Sequence, residues 1–246
     1  MLLRRITEHV KAQNWTAIAL DFFIVIAGIL IAFQITAWNE ARANRAAADR
    51  YIASLAQDLR ADIDDLEAVR QNKAFNAAVM EITLVGSGAA DPAKLLPGPP
   101  VDRSTIPAFD SPAWAAFAAK VFNTLTFDPS TQTFDMLVAT GDVALIENYE
   151  LVQTLMAYRQ AVVVMEDFEA NSGALQISMV PNFIAAGIAV GYPIETEKYR
   201  AAMEDNEALK ATYISLRTLT LASYARAKRT QALAKETLAA LEAAQQ

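Results

Sequence analysis

The chain has 246 residues, 54% of them hydrophobic, with 21 Lys and Arg against 28 Asp and Glu, a formal net charge of -7 at pH 7, one histidine and no cysteine. The missing cysteine excludes disulfides, thiolate zinc sites and iron–sulfur clusters, and a lone histidine excludes a histidine-rich metal centre. Residues 1–38 carry Arg4, Arg5 and Lys11 against Glu8 and Asp21, a net +1, which leaves -8 on the remainder; a domain of that sign repels a phosphate backbone and sets nucleic acid aside as a partner.

Residues 1–15 form a short basic tail that holds the histidine, His9. From Thr16 to Trp38 runs TAIALDFFIVIAGILIAFQITAW, with Asp21 as its one charge. At about 1.5 Å per residue such a helix is roughly 35 Å long, enough to cross a hydrocarbon core of about 30 Å. A cleaved signal has a shorter apolar core of about 7–15 residues and a small-x-small site, where this chain has Phe33-Gln34-Ile35. The segment is therefore expected to be a retained transmembrane helix, with Trp38 as its interface anchor. Arg4, Arg5 and Lys11 before it nearly balance Arg42, Arg45 and Arg50 after it. A short basic tail is costly to translocate and a long domain is not, so the N-terminus is expected in the cytoplasm and residues 39–246 outside.

Within the span, Asp21, Gly28 and Ala32 share one helix face, and Gly28 with Ala32 makes a small-xxx-small pair that lets a second helix approach closely. Asp21 is costly in hydrocarbon unless it lies at headgroup depth or finds a partner. Gln34 and Trp38 stack at i, i+4 on another side. Asp21, Gly28, Ala32 and Gln34 are the candidate membrane-helix contacts.

The run Gly28-Ile29-Leu30-Ile31-Ala32-Phe33-Gln34-Ile35-Thr36-Ala37-Trp38-Asn39-Glu40 resembles the hallmark of a family of uncharacterised bacterial single-span membrane proteins, approximately GILIALQINNWNE. Thr36 and Ala37 stand where that family has an Asn pair, and Asp21 stands where it commonly has an acidic residue ahead of the glycine. A second likeness covers Thr133-Phe134-Asp135-Met136-Leu137, Gly141-Asp142, Leu145-Ile146-Glu147-Asn148 and Glu150-Leu151. The resemblance implies a bacterial single-span membrane protein with no known activity; together with the charge argument, the expected location is the bacterial inner membrane with the C-terminal domain periplasmic.

From Asn39 onward the apolar period is helical: Ala48, Ile52, Leu55, Leu59, Ile63, Leu66 and Val69 step by three or four. No Gly or Pro interrupts between Gly28 and Gly86, so the membrane helix is expected to continue to about Val85. Asp58, Asp62 and Asp65 share a face at i, i+4, i+7; without a glycine-turn loop they are expected to be solvated surface and not a cation site. Residues 86–112 hold six of nine prolines and predict a loop, either a partner-binding excursion or a mobile bundle tip. Ser111-Pro112 predicts N-cap and N1 of a helix to about Asn123, and Ser130 the N-cap of a short helix closed by Gly141.

Asn148 is expected to cap a longer helix whose stripe, Leu151, Leu155, Tyr158, Val162, Met165 and Phe168, faces the first. The uncharged stretch 171–194 holds Gln176, Pro181, Asn182 and three glycines, which disfavour a second span and predict a buried turn. Residues 196–243 return to a helical pattern. The expected fold is all-α: an N-terminal transmembrane helix continuing into an elongated antiparallel helical bundle.

Neither a phosphate loop nor a G-x-S-x-G elbow occurs, and carboxylate-bridged metal bundles need Glu-x-x-His pairs that one tail histidine cannot supply. No catalytic, cofactor or metal residues are assigned, and the chain is expected not to be an enzyme. The expected role is protein–protein interaction as an accessory or scaffold of a membrane assembly, with the lipid bilayer and either a membrane partner or further copies of the chain as its contacts. The alternative is an outer ligand sensor that signals through a partner, since a tail of about 15 residues holds no output domain.

Overall fold

The computed structural model describes residues 15–245; the basic tail with His9, and the side chains of 15–19 and of Asp21, lie outside that description. Among the described residues there is no strand, and the elements are α1 (Trp15–Gly86), α2 (Trp114–Lys120), α3 (Gln132–Ala139), α4 (Tyr149–Ala185), α5 (Thr196–Glu204) and α6 (Glu207–Ala244), with 3-10 turns at Pro92–Lys94, Arg103–Thr105 and Asp142–Leu145. The all-α expectation holds. The chain divides into two units between Arg50 and Tyr51, within α1.

In the first unit the apolar part of α1 is open to its surroundings. An 18-residue window has mean hydropathy 2.0 and none of it is buried, so this helix is long and apolar enough to cross a membrane. Phe23 is 74% exposed and Phe33 68%.

The second unit is a helical bundle with two apolar clusters. One joins Leu55, Leu59 and Leu66 of α1 to Leu151, Leu155 and Val162 of α4 and to Ala227, Ala234 and Leu241 of α6. The faces of α1 and α4 are the stripes the period predicted, each large side chain contributing about 1.5–3 kcal/mol when fully buried; the alanines of α6 contribute less area. Ile63 and Phe168 fall at the stripe edges and are partly buried. The other cluster gathers Val79 and Leu84 of α1 with Trp114, Phe183, Tyr199 and Tyr213.

Gly86 ends α1 where a side chain is not tolerated, since an added Cβ would stand 2.4 Å from Phe109 Cβ. The segment after it folds back onto its own bundle, with Ile106 7% and Phe109 4% exposed. Glu81 on α1 grips it, accepting from Arg103 at 2.7 Å and from the buried Arg217 of α6 at 2.6 Å.

Three local expectations are corrected. The helix predicted from Pro112 begins at Trp114, because Trp114 N donates to Ser111 O in an i, i+3 turn, and it ends at Lys120. Ser130 is not a cap: α3 starts at Gln132 with no side-chain cap, and the Ser130 amide is used elsewhere. Residues 196–243 are helical as expected, in two helices, because Asn206 accepts from Leu209 N and starts α6 anew. The stretch 171–194 is not a buried turn: α4 runs to Ala185 through Pro181, and Ile177, Ile184 and Tyr192 are 73%, 65% and 71% exposed while Phe183 and Ile188 point inward. Gly141 (φ 78°) closes α3 in the left-handed region, and Asn148 caps α4 by accepting from Leu151 N at 3.1 Å, both as predicted.

Candidate functional site

Residues 121–131 connect α2 to α3 without regular structure, so their backbone amides need acceptors from elsewhere. Side chains of α1 and α4 supply them. Leu125 N donates to Asn72 Oδ1, Phe127 N to Glu169 Oε2 and Asp128 N to Asp65 Oδ2, each at 3.1 Å, and Ser130 N donates to Asp62 Oδ1 at 2.8 Å. Asn72 also donates to Asn123 O at 3.3 Å. Two of these acceptors, Asp62 and Asp65, belong to the acidic face expected to be solvated.

Asp62 is the largest departure from the expectation of a solvated acidic face, at 2% exposed. Its second oxygen accepts from Tyr158 Oη at 2.5 Å. Burial first, and Asp62 second, push the Tyr158 phenol well above its usual range, so the tyrosine stays a donor. We expect Asp62→Ala to lower unfolding free energy by about 3 kcal/mol, because it strands a buried hydroxyl and a backbone amide together. Thermal or urea unfolding of the chain in detergent, followed by circular dichroism, measures it; a loss under about 1 kcal/mol would mean that water replaces the carboxylate.

The same clipped segment roofs a small polar cavity of about 50 Å³. Lys73 of α1 lies on one side, Thr124 and Thr126 on the roof, Glu169, Ser172 and Gln176 on α4, and Thr220 and Ser223 on α6. Lys73 is 5% exposed, and among the described residues it makes no hydrogen bond or ion pair within 4 Å. Desolvation pushes its ammonium pKa down, and the field of Glu169 partly offsets this. Glu169 is shifted upward, by desolvation before all else, against the pull of Phe127 N–H, Lys73 and Ser223. Ser172, 7% exposed, likewise hydrogen-bonds to no described residue. Two opposite charges thus face one cavity without touching.

The residues named in the apolar helix are placed as follows. Gly28, Ala32, Gln34 and Trp38 are all exposed, and a Cβ on Gly28 would meet nothing within 4 Å. The Arg42 guanidinium lies 5.9 Å from the Trp38 ring centroid, and Thr36 Oγ1 donates back to Ala32 O at 3.0 Å. The side chain of Asp21 falls outside the described residues. Helix periodicity keeps Gly28 and Ala32 on one face and Gln34 with Trp38 on another. Among the described residues there is no group of three or more His, Cys, Asp or Glu arranged to hold a metal ion.

Sequence reasoning missed the cavity residues altogether. The signal that existed was indirect: Lys73 falls four residues after Val69, on the apolar stripe of α1, where a charge is out of place.

Fold and surface together define a class: an all-helical bundle whose first helix carries an exposed apolar segment of membrane-spanning length. No protein-family model, no curated protein and no solved structure matches the chain.

Proposed function

We infer that this is a single-pass bacterial inner-membrane protein whose periplasmic helical bundle acts by protein–protein contact, as an accessory or scaffold of a membrane assembly. The observation that carries this reading is the apolar segment of α1, no residue of which is buried over a membrane-length window; apolar area of that extent is covered by lipid or by another protein. The resemblance of Gly28 to Glu40 to a single-span family supports the same reading, and the cost of translocating a basic tail supports the orientation. The face of Gly28 and Ala32 is the contact for a second transmembrane helix. The open space at Gly28 supports this choice, because close backbone approach is what a glycine there permits.

The test is crosslinking in native membranes from a photoreactive residue placed at Ile35, which is exposed and shares the face of Gly28 and Ala32, with identification of the product. A single stoichiometric product, either a second copy or one membrane protein, supports the reading; lipid adducts alone overturn it. Gly28→Ile clashes with nothing in its own chain, so the bundle should melt unchanged while association weakens by about 1 kcal/mol, or roughly fivefold. An unchanged crosslink yield in Gly28→Ile would show this face to be ordinary lipid-exposed surface.

A further inference from the structure

We propose that the cavity between Lys73 and Glu169 is a binding site for a small zwitterion, an α-amino acid of the size of glycine or alanine. Lys73 is 5% exposed as a residue, and its ammonium has no acceptor among the described residues. A buried charge without a partner is costly, and the cost falls when a carboxylate reaches it. Across the cavity Glu169 keeps free lone pairs, because Phe127 N–H and Ser223 Oγ occupy two of its positions, at 3.1 and 3.5 Å.

The charges of the site select the ligand. A simple carboxylate would satisfy Lys73 and meet Glu169; a simple amine would do the reverse. A molecule carrying both groups pairs with each and adds no net charge to a buried site. Ser172, unpaired and 7% exposed, supplies a further donor and acceptor at the wall. A volume of about 50 Å³ holds roughly three to five waters, and glycine, with about five non-hydrogen atoms, and alanine, with about six, are the amino acids nearest that size.

Gly173 lines the same cavity, and a Cβ there would meet nothing within 4 Å. Because Gly173 lines the cavity and its Cβ position is open, a leucine there is the substitution expected to take up the cavity's free space.

The experiment uses the full chain in detergent micelles, with thermal unfolding read by circular dichroism against glycine, alanine, acetate and methylamine. Glycine or alanine is expected to raise Tm saturably, by about 5–10 °C at a hundred times its Kd, with acetate and methylamine at equal concentration giving no such rise. Gly173→Leu should raise the ligand-free Tm by about 2–4 °C, as replacing a mid-helix glycine does, and should abolish the response. Lys73→Met, which removes a buried unpaired charge, should also fold and lose the response.

No shift with either amino acid would overturn the proposal and leave a water-filled cavity. An acetate shift as large as that of glycine would overturn the zwitterion assignment, and a full response in Gly173→Leu would place binding elsewhere. If Lys73→Met fails to fold, Gly173→Leu still decides.

Discussion

Glu81→Gln is expected to cost about 3–5 kcal/mol of unfolding free energy, because it strips the counter-charge from a guanidinium already taken out of water. The Arg217 side chain is 3% exposed and that of Glu81 is 19%. Arg217 Nε has no partner, so its bond to Glu81 at 2.6 Å carries the compensation. Arg103, the other partner of Glu81, is 54% exposed at its side chain, and Arg103→Gln is expected to cost under about 1 kcal/mol. Comparison of the two melts separates a buried charge pair from a surface clip; equal losses would refute the distinction.

The pH dependence of the same site has a definite sign. Desolvation pushes the Glu81 carboxyl upward, but hydrogen bonds from Arg103 and Arg217 outweigh it and hold the pKa below the ordinary 4.5. A carboxylate depressed in the folded state contributes in full above its unfolded pKa and loses that contribution as pH falls through the folded value. The difference in stability between wild type and Glu81→Gln should therefore be constant from pH 7 down to about 5 and shrink from about 4.5 downward. Melts of both proteins across pH 3 to 7 measure it, and a difference that grows in acid would contradict the assignment.

Trp114→Ala is the second large effect, expected at about 3–5 kcal/mol from lost burial and the cavity left behind. Trp114 is fully buried, with ring centroids 4.6 Å from Phe109 and 5.2 Å, edge to face, from Tyr199. Tyr199 in turn stands edge to face with Tyr213 at 6.0 Å. The indole therefore joins the Pro/Gly-rich segment, through Phe109, to α5 and α6. Its Nε1 has no hydrogen-bond partner, so Trp114→Phe removes an unsatisfied donor along with some packing and should cost less than half as much as the alanine. Limited proteolysis gives a second readout, with cleavage within 87–110 rising in Trp114→Ala and staying low in Trp114→Phe. Protection in both variants would show that Phe109 and Ile106 hold the segment without the indole.

What the sequence determined by itself was periodic or local. An uninterrupted run of helix formers carries α1 to Gly86, the three- and four-residue spacing of Leu55, Leu59, Leu66, Leu151 and Leu155 sets which faces are buried, and Gly141 and Asn148 end and begin helices through their own backbone and side-chain chemistry. The uncharged, mostly apolar residues from Phe22 to Trp38 likewise announce a membrane-length segment from length and composition alone.

The tertiary structure decided the fate of the polar groups. Asp62 and Asp65 have the i, i+3 spacing of any solvated acidic face, yet the irregular segment 121–131 crosses them and draws on both for its amides. The same crossing closes the cavity over Lys73, brings Glu169 from about a hundred residues away to face it, and leaves Ser172 without a partner. Likewise Glu81 meets Arg217 only because α6 returns beside the end of α1. Apolar burial is a property of a helix face and repeats along the chain, so a pattern reveals it; a hydrogen bond or ion pair needs two particular atoms within about 3 Å, and between distant residues that separation is set by how the helices pack.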